Sequence, residues 1–115
     1  MKKLLLAVIV SLTTISSVAL AEIKVGIILG FTGPIETLTP AMRDSAKLAF
    51  AEVSASGALL GGETITPLIG DSTCIDSDAA VAAAELIVSE GAVAIMGADC
   101  SGVTGAIATN VAVPN

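Results

Sequence analysis

The residues best placed to do chemistry in this 115-residue chain lie in one stretch, Ala94 to Gly105, read A-I-M-G-A-D-C-S-G-V-T-G. An apolar run, Val93 to Met96, stops at Gly97. Asp99, Cys100 and Ser101 follow, and then a weakly helical run from Val103 to Ala112. This order predicts a strand, a tight turn and a helix start. In an open α/β sheet, ligands bind just outside the carboxyl ends of the strands, against helix N-termini. Unpaired backbone N–H groups and the helix dipole make such a place receptive to an anion, a carboxylate included. Ser101 adds a neutral hydroxyl donor. Cys100 can fix the turn covalently in an oxidising compartment. Asp99, beside Ser101, suits ligand contact and helix capping about equally.

Other chemistries find no support. The chain has no His, which excludes a Ser-His or Cys-His pair within it. The A-D-C-S-G-V context of Ser101 lacks the first glycine of a G-x-S-x-G elbow. Gly26, Gly30 and Gly33 do not fit G-x-G-x-x-G, and no phosphate-loop signature occurs, so no motif asks for a cofactor. Cys74, Asp76, Asp78 and Cys100 make a poor metal set without His or closely paired cysteines. The formal net charge of −6 argues against a nucleic-acid partner, which needs clustered Lys and Arg. The remaining acids read as solvated surface charge.

The elements that must position the turn can be read in chain order. Residues 1–21 open with Lys2 and Lys3, continue through an apolar core from Leu4 to Val10, and end Ala19-Leu20-Ala21, a small-x-small cleavage pattern. This is a secretory signal peptide. Ser11, Thr13, Thr14, Ser16 and Ser17 break the run short of the ~20 apolar residues a membrane span needs. The mature chain, 22–115, is then more acidic than the whole.

Ile23 to Leu29 predicts a buried strand, and G-F-T-G-P-I-E-T-L a loop. Thr39-Pro40 reads as an N-cap with proline at the first helical position. Met42, Ala46, Ala49, Phe50 and Val53 then mark the apolar face of a helix ending at Gly57. Glu63 to Gly70 is a second strand, placed at an edge or irregular at Pro67. Ser77 or Asp76 caps a helix over Asp78 to Glu90, with Val81, Ala84, Ile87 and Val88 as its apolar face and Gly91 as its stop. Ala92 to Met96 is the third strand. Helices between successive strands imply right-handed crossovers, and so an α/β fold with a parallel sheet and flanking helices. With no Trp or Tyr and two Phe, the core must be built from Val, Ile, Leu and Ala, as in a parallel sheet covered by helices. Three such strands leave exposed edges, so the chain reads as the front part of a longer protein, cut at or just before a fourth strand.

Cys74 and Cys100 both follow strands, and in a parallel sheet the two loops share one end. With export assumed, a disulfide between them is the first expectation and free thiols the alternative.

These residues resemble a family. Ile23 to Pro34 (I-K-V-G-I-I-L-G-F-T-G-P), Gly70 to Asp76 (G-D-S-T-C-I-D) and Ile95 to Gly105 are similar to the periplasmic substrate-binding proteins of branched-chain amino acid ABC transporters, the leucine/isoleucine/valine type. The resemblance covers nearly all of 22–115. It implies the incomplete N-terminal lobe of a type I periplasmic binding protein, a leucine-binding-protein-like domain that closes on its ligand at a hinge and delivers it to permease subunits. It implies no enzyme activity. Ser101 takes the position of the serine that contacts the ligand α-carboxylate. Asp99 and Cys100 line the same pocket, and Phe31 with the Thr32 to Leu38 segment covers the ligand side chain. Two positions depart from the family: Leu38 stands where aliphatic binders tend to carry an aromatic residue, and Asp99 where they carry an apolar one. The implied ligand is an amino acid or related small amphiphile, with an extra amine or polar group to meet Asp99. A receptor's ligand-sensing domain and an exported α/β enzyme with later catalytic residues are the alternatives.

Overall fold

The β-branched run that begins at Ile23 forms the centre of the molecule. A computed structural model of the chain describes residues 22–115; the signal peptide read at 1–21 lies outside the described residues. In order come β1 (Glu22–Leu29), α1 (Thr39–Ser56), β2 (Thr64–Asp71), α2 (Ser77–Ser89), β3 (Ala92–Gly97) and α3 (Ser101–Ile107), which runs on into a π-helical turn, Ala108–Ala112. The strands form a parallel sheet in the order β2-β1-β3. β1 is therefore central, and Ile27, Ile28 and Leu29 are shut away from solvent. Pro67 sits on edge strand β2 opposite Val25, where its missing N–H breaks no ladder on the open side.

Side chains alternate across the sheet, and the two faces are covered unequally. On one face Ile28 packs with Ala80, Ala84 and Ile87 of α2, Val103 and Ile107 of α3, and Val111 of the π-helical turn. This is the main core. Each fully buried aliphatic side chain in it is worth about 1.5–3 kcal/mol relative to exposure. α2 is held at its start by Asp76, whose carboxylate accepts the N–H groups of Asp78 and Ala79, both at 3.0 Å. The cap predicted at Ser77 or Asp76 is thus Asp76.

On the other face α1 lies over β1 and β2 alone, and here two expectations fail. Thr39 is the first residue of α1, not its N-cap. Leu38 takes the N-cap place and makes no side-chain cap. The Thr39 hydroxyl instead donates back to the carbonyl of Gly30 at 3.0 Å, fully buried, and so closes the preceding loop. The predicted apolar face of α1 is also displaced. Ala46 and Phe50 are half-buried, but Met42, Ala49 and Val53 are exposed, and Arg43 and Ser54 complete the covered stripe. Ser54 faces the sheet because its hydroxyl accepts the N–H of Ile65 at 2.9 Å and donates to the carbonyl of Phe50 at 2.7 Å.

Candidate functional site

Because the strands are parallel, the loops that follow them, 30–38, 72–76 and 98–100, meet at one end of the sheet. Cys74 and Cys100 are joined there by a disulfide, with Cα atoms 5.2 Å apart, which settles the cysteine pairing and removes both thiolates as metal ligands. β2 and β3 lie on opposite sides of β1, so the bridge crosses the end of the central strand. A Cβ placed on Gly30 would lie 3.3 Å from the Cβ of Cys74.

β3 ends at Gly97, whose φ is +126°; a Cβ there would lie 1.9 Å from the carbonyl oxygen of Ile28, so only glycine lets the chain turn at this point. The turn is secured by Thr104, whose hydroxyl reaches the carbonyls of Ala98 at 3.1 Å and Cys100 at 2.8 Å. Ser101 then opens α3. It is exposed, and the extended Cys100 before it supplies no side-chain cap. The hydroxyl of Ser101 and the first N–H groups of the helix thus stand together at the rim. Such donors suit an anionic group.

Two acids of the rim accept hydrogen bonds from the loops. Asp99 Oδ2 accepts the N–H of Gly30 at 2.8 Å, and its Oδ1 accepts the hydroxyl of buried Ser72 at 3.3 Å. Its carboxylate links all three loops. Asp71 gathers four donors: the N–H groups of Phe31, Thr32 and Thr73, and the Thr32 hydroxyl. Burial opposes ionisation of this carboxyl. The Thr32 hydroxyl and the N–H groups of Thr73, Thr32 and Phe31 outweigh it, and the pKa is held below the usual carboxylate value. Sequence reasoning missed Asp71, Ser72 and Thr39. Asp71 and Ser72 carry the same signal that singled out Ser101, a polar residue at the carboxyl end of a strand.

The apolar residues expected at the rim divide. Leu38 is exposed. Phe31 is half-buried, with the Arg43 guanidinium 5.7 Å from its ring centroid and Arg43 itself paired to Asp44 at 2.8 Å. A concave space of about 400 Å³ lies elsewhere, between β3 and the α3 side, lined by Val93, Ala94, Ile95, Ile107 and Val111. Its lining is mostly apolar, with Thr104 and Asn115 as its polar side chains, and Ser101, Asp99 and Asp71 sit at the rim instead.

A parallel sheet with helices on both faces and a disulfide-tied rim makes this an α/β domain, and comparison with known proteins supplies its class. The family model for periplasmic binding proteins matches residues 22–114, and the chain belongs to that family. Among solved structures it is similar to the branched-chain amino acid transporter substrate-binding protein LivJ from Streptococcus pneumoniae, determined in complex with isoleucine. That match has 24% sequence identity and a TM-score of 0.69, and covers 81% of this chain. The chain spans about a quarter, 26%, of that structure's own chain. No curated protein matches the sequence. The resemblance read from the sequence is met in family and in fold, and both the family and this solved structure are of binding proteins.

Proposed function

We propose that this chain is part of the solute-binding component of an ABC importer, exported through its 1–21 leader to the periplasm, where it binds an amino acid of the branched-chain or related type and presents it to permease subunits. The observation that carries this reading is the tethered turn: the Cys74–Cys100 bridge fixes exposed Ser101, first residue of a helix without a side-chain cap, at the carboxyl end of a parallel sheet. The hydroxyl and the neighbouring N–H groups take the ligand α-carboxylate. Cys100 lines the same place through its backbone. Phe31 and Leu38, on the loop after β1, meet the ligand side chain and favour an apolar one.

Calorimetric titration of the full-length protein against an amino-acid panel tests this. Saturable heat is expected with aliphatic amino acids, and little with lysine or arginine. Ser101→Ala should weaken binding about tenfold to a hundredfold, the worth of a hydrogen bond to a charged group. Silence toward every zwitterion removes the proposal.

A further inference from the structure

The loop between β1 and α1 contains no regular structure before Thr39, yet it is fixed at several points. Inside it the backbone bonds are turn bonds, Glu36 N–H to the Gly33 carbonyl at 3.3 Å and Leu38 N–H to the Ile35 carbonyl at 2.9 Å. The Thr39 hydroxyl holds its base at Gly30. Its first exposed turn, Phe31-Thr32, is held to the rest of the rim by Asp71, the last residue of β2. Oδ1 accepts Phe31 N–H at 2.9 Å and Thr32 N–H at 3.4 Å, and Oδ2 accepts the Thr32 hydroxyl at 2.7 Å. The same Oδ1 accepts Thr73 N–H at 2.8 Å, next to Cys74, so one side chain couples the Phe31 loop to the disulfide loop.

We propose that Asp71 is a positioning residue for ligand recognition: it holds Phe31 and Thr32 in the conformation that faces the ligand, and it acts through that loop instead of through a contact of its own. This rests on the reading of the rim as an amino-acid site. When only a fraction of molecules hold the binding-competent loop, apparent affinity falls by that fraction, whatever side chain the ligand carries. A residue that touched the ligand side chain would discriminate between ligands. One that paired with the ligand ammonium would need its negative charge. Asp71 needs only acceptor atoms in place. An asparagine keeps an oxygen for the three N–H groups, and its amide can donate to the Thr32 hydroxyl with the direction of that bond reversed.

The test uses the full-length protein with leucine, alanine and serine as probes, and amide hydrogen exchange at Phe31 and Thr32 without ligand. Asp71→Ala is expected to weaken all three ligands by a common factor of about tenfold and to speed exchange at both amides, while Asp71→Asn recovers most of the affinity. If Asp71→Ala does not fold, Thr32→Val should weaken all three ligands by a common factor and Thr32→Ser should restore them. Asparagine as weak as alanine overturns the proposal in favour of direct charge pairing with the ligand. Faster exchange with unchanged affinity overturns it too, as does exchange that does not change. A wild-type protein that binds no amino acid overturns the functional reading and the positioning role with it, while the exchange rates still report on the tether by themselves.

Discussion

Two carboxylates of the rim, Asp99 and Asp71, are engaged by backbone and hydroxyl donors. Asp99 joins the Gly30 N–H to the Ser72 hydroxyl, and Asp71 joins Phe31 and Thr32 to Thr73. Hydrogen bonds to a charged acceptor are stronger than neutral ones, and these hold segments about 40 positions apart in the chain. The sign of the pH effect follows. The hydrogen bonds hold the Asp71 pKa below its ordinary value of 3.8 despite burial, so the folded state binds this proton less readily than the unfolded chain. Its contribution to stability is therefore complete above the ordinary carboxylate range and is lost as pH falls through the lowered folded value. In an NMR titration the Asp71 carboxyl is expected to have its midpoint below that of an exposed aspartate, with the Phe31 and Thr32 amide shifts moving at the same pH. A midpoint above the ordinary value would contradict the tether.

At the scale of elements, the strands and α2 were legible in the sequence: a β-branched run in β1, short apolar stretches bounded by glycine in β2 and β3, and a cap at Ser77 or Asp76 followed by an apolar periodicity in α2. The covered stripe of α1 was legible only in part. Hydrophobicity selects Met42, Ala46, Ala49, Phe50 and Val53, of which only Ala46 and Phe50 are covered, and the covered stripe is completed by Arg43 and the polar Ser54. The serine belongs there for its hydrogen bond to Ile65, which no periodicity rule counts. The π-helical turn, closed by Val113 N–H on the Ala108 carbonyl at 3.0 Å, has no sequence signal either. The close seating of α2 depends on two strand glycines, and they are not equivalent. A Cβ on Gly26 would lie 2.7 Å from Cγ2 of Ile87, a branch fixed near the helix backbone, and 3.2 Å from Ile95 Cγ1. A Cβ on Gly70 would also have a neighbour at 3.2 Å, Ile28 Cγ1, but its shortest contact, 2.9 Å, is with Ile87 Cδ1, the far end of the same side chain, which can turn away. Gly26→Ala should therefore cost about 1–3 kcal/mol by overpacking, and Gly70→Ala clearly less. Adding Ile87→Val, which deletes Cδ1 but keeps Cγ2, should relieve the Gly70 variant and not the Gly26 variant. Urea unfolding of the four variants checks this, and equal costs at both glycines would overturn it.

For the described residues as a whole, the bridge between Cys74 and Cys100 compensates for an uneven architecture. One face carries the core of α2, α3 and Ile28, while the other carries only α1, with Met42, Leu48 and Val53 left exposed. The candidate site was legible as far as its turn, because Asp99, Cys100 and Ser101 follow an apolar run and the second cysteine could be placed at the same sheet end. What joins that turn to the other loops was not legible, because Asp71 and Ser72 act through Phe31, Thr32 and Asp99, far away in sequence. The disulfide spans a sequence separation of 26 and encloses all of α2 and β3. In the chain-entropy account a loop of this length stabilises by about 3–4 kcal/mol. Against a typical stability of about 5–15 kcal/mol for a domain, that is a large share. Reduction should therefore lower Tm by more than about 10 °C, since about 1 kcal/mol moves a domain of this size by about 4–8 °C. The loss should also be uneven. Asp71 and Asp99 still connect the loops without the sulfurs, but Ser101 loses the covalent anchor immediately before it. Hydrogen exchange in the reduced protein should accelerate first at Ser101 to Thr104 and around Thr73, with the Ile27 and Ile28 amides of central β1 the last to lose protection. A reduced protein that melts within a degree or two of the oxidised form would show that hydrogen bonds alone hold the rim, and would remove the bridge from the account of the site.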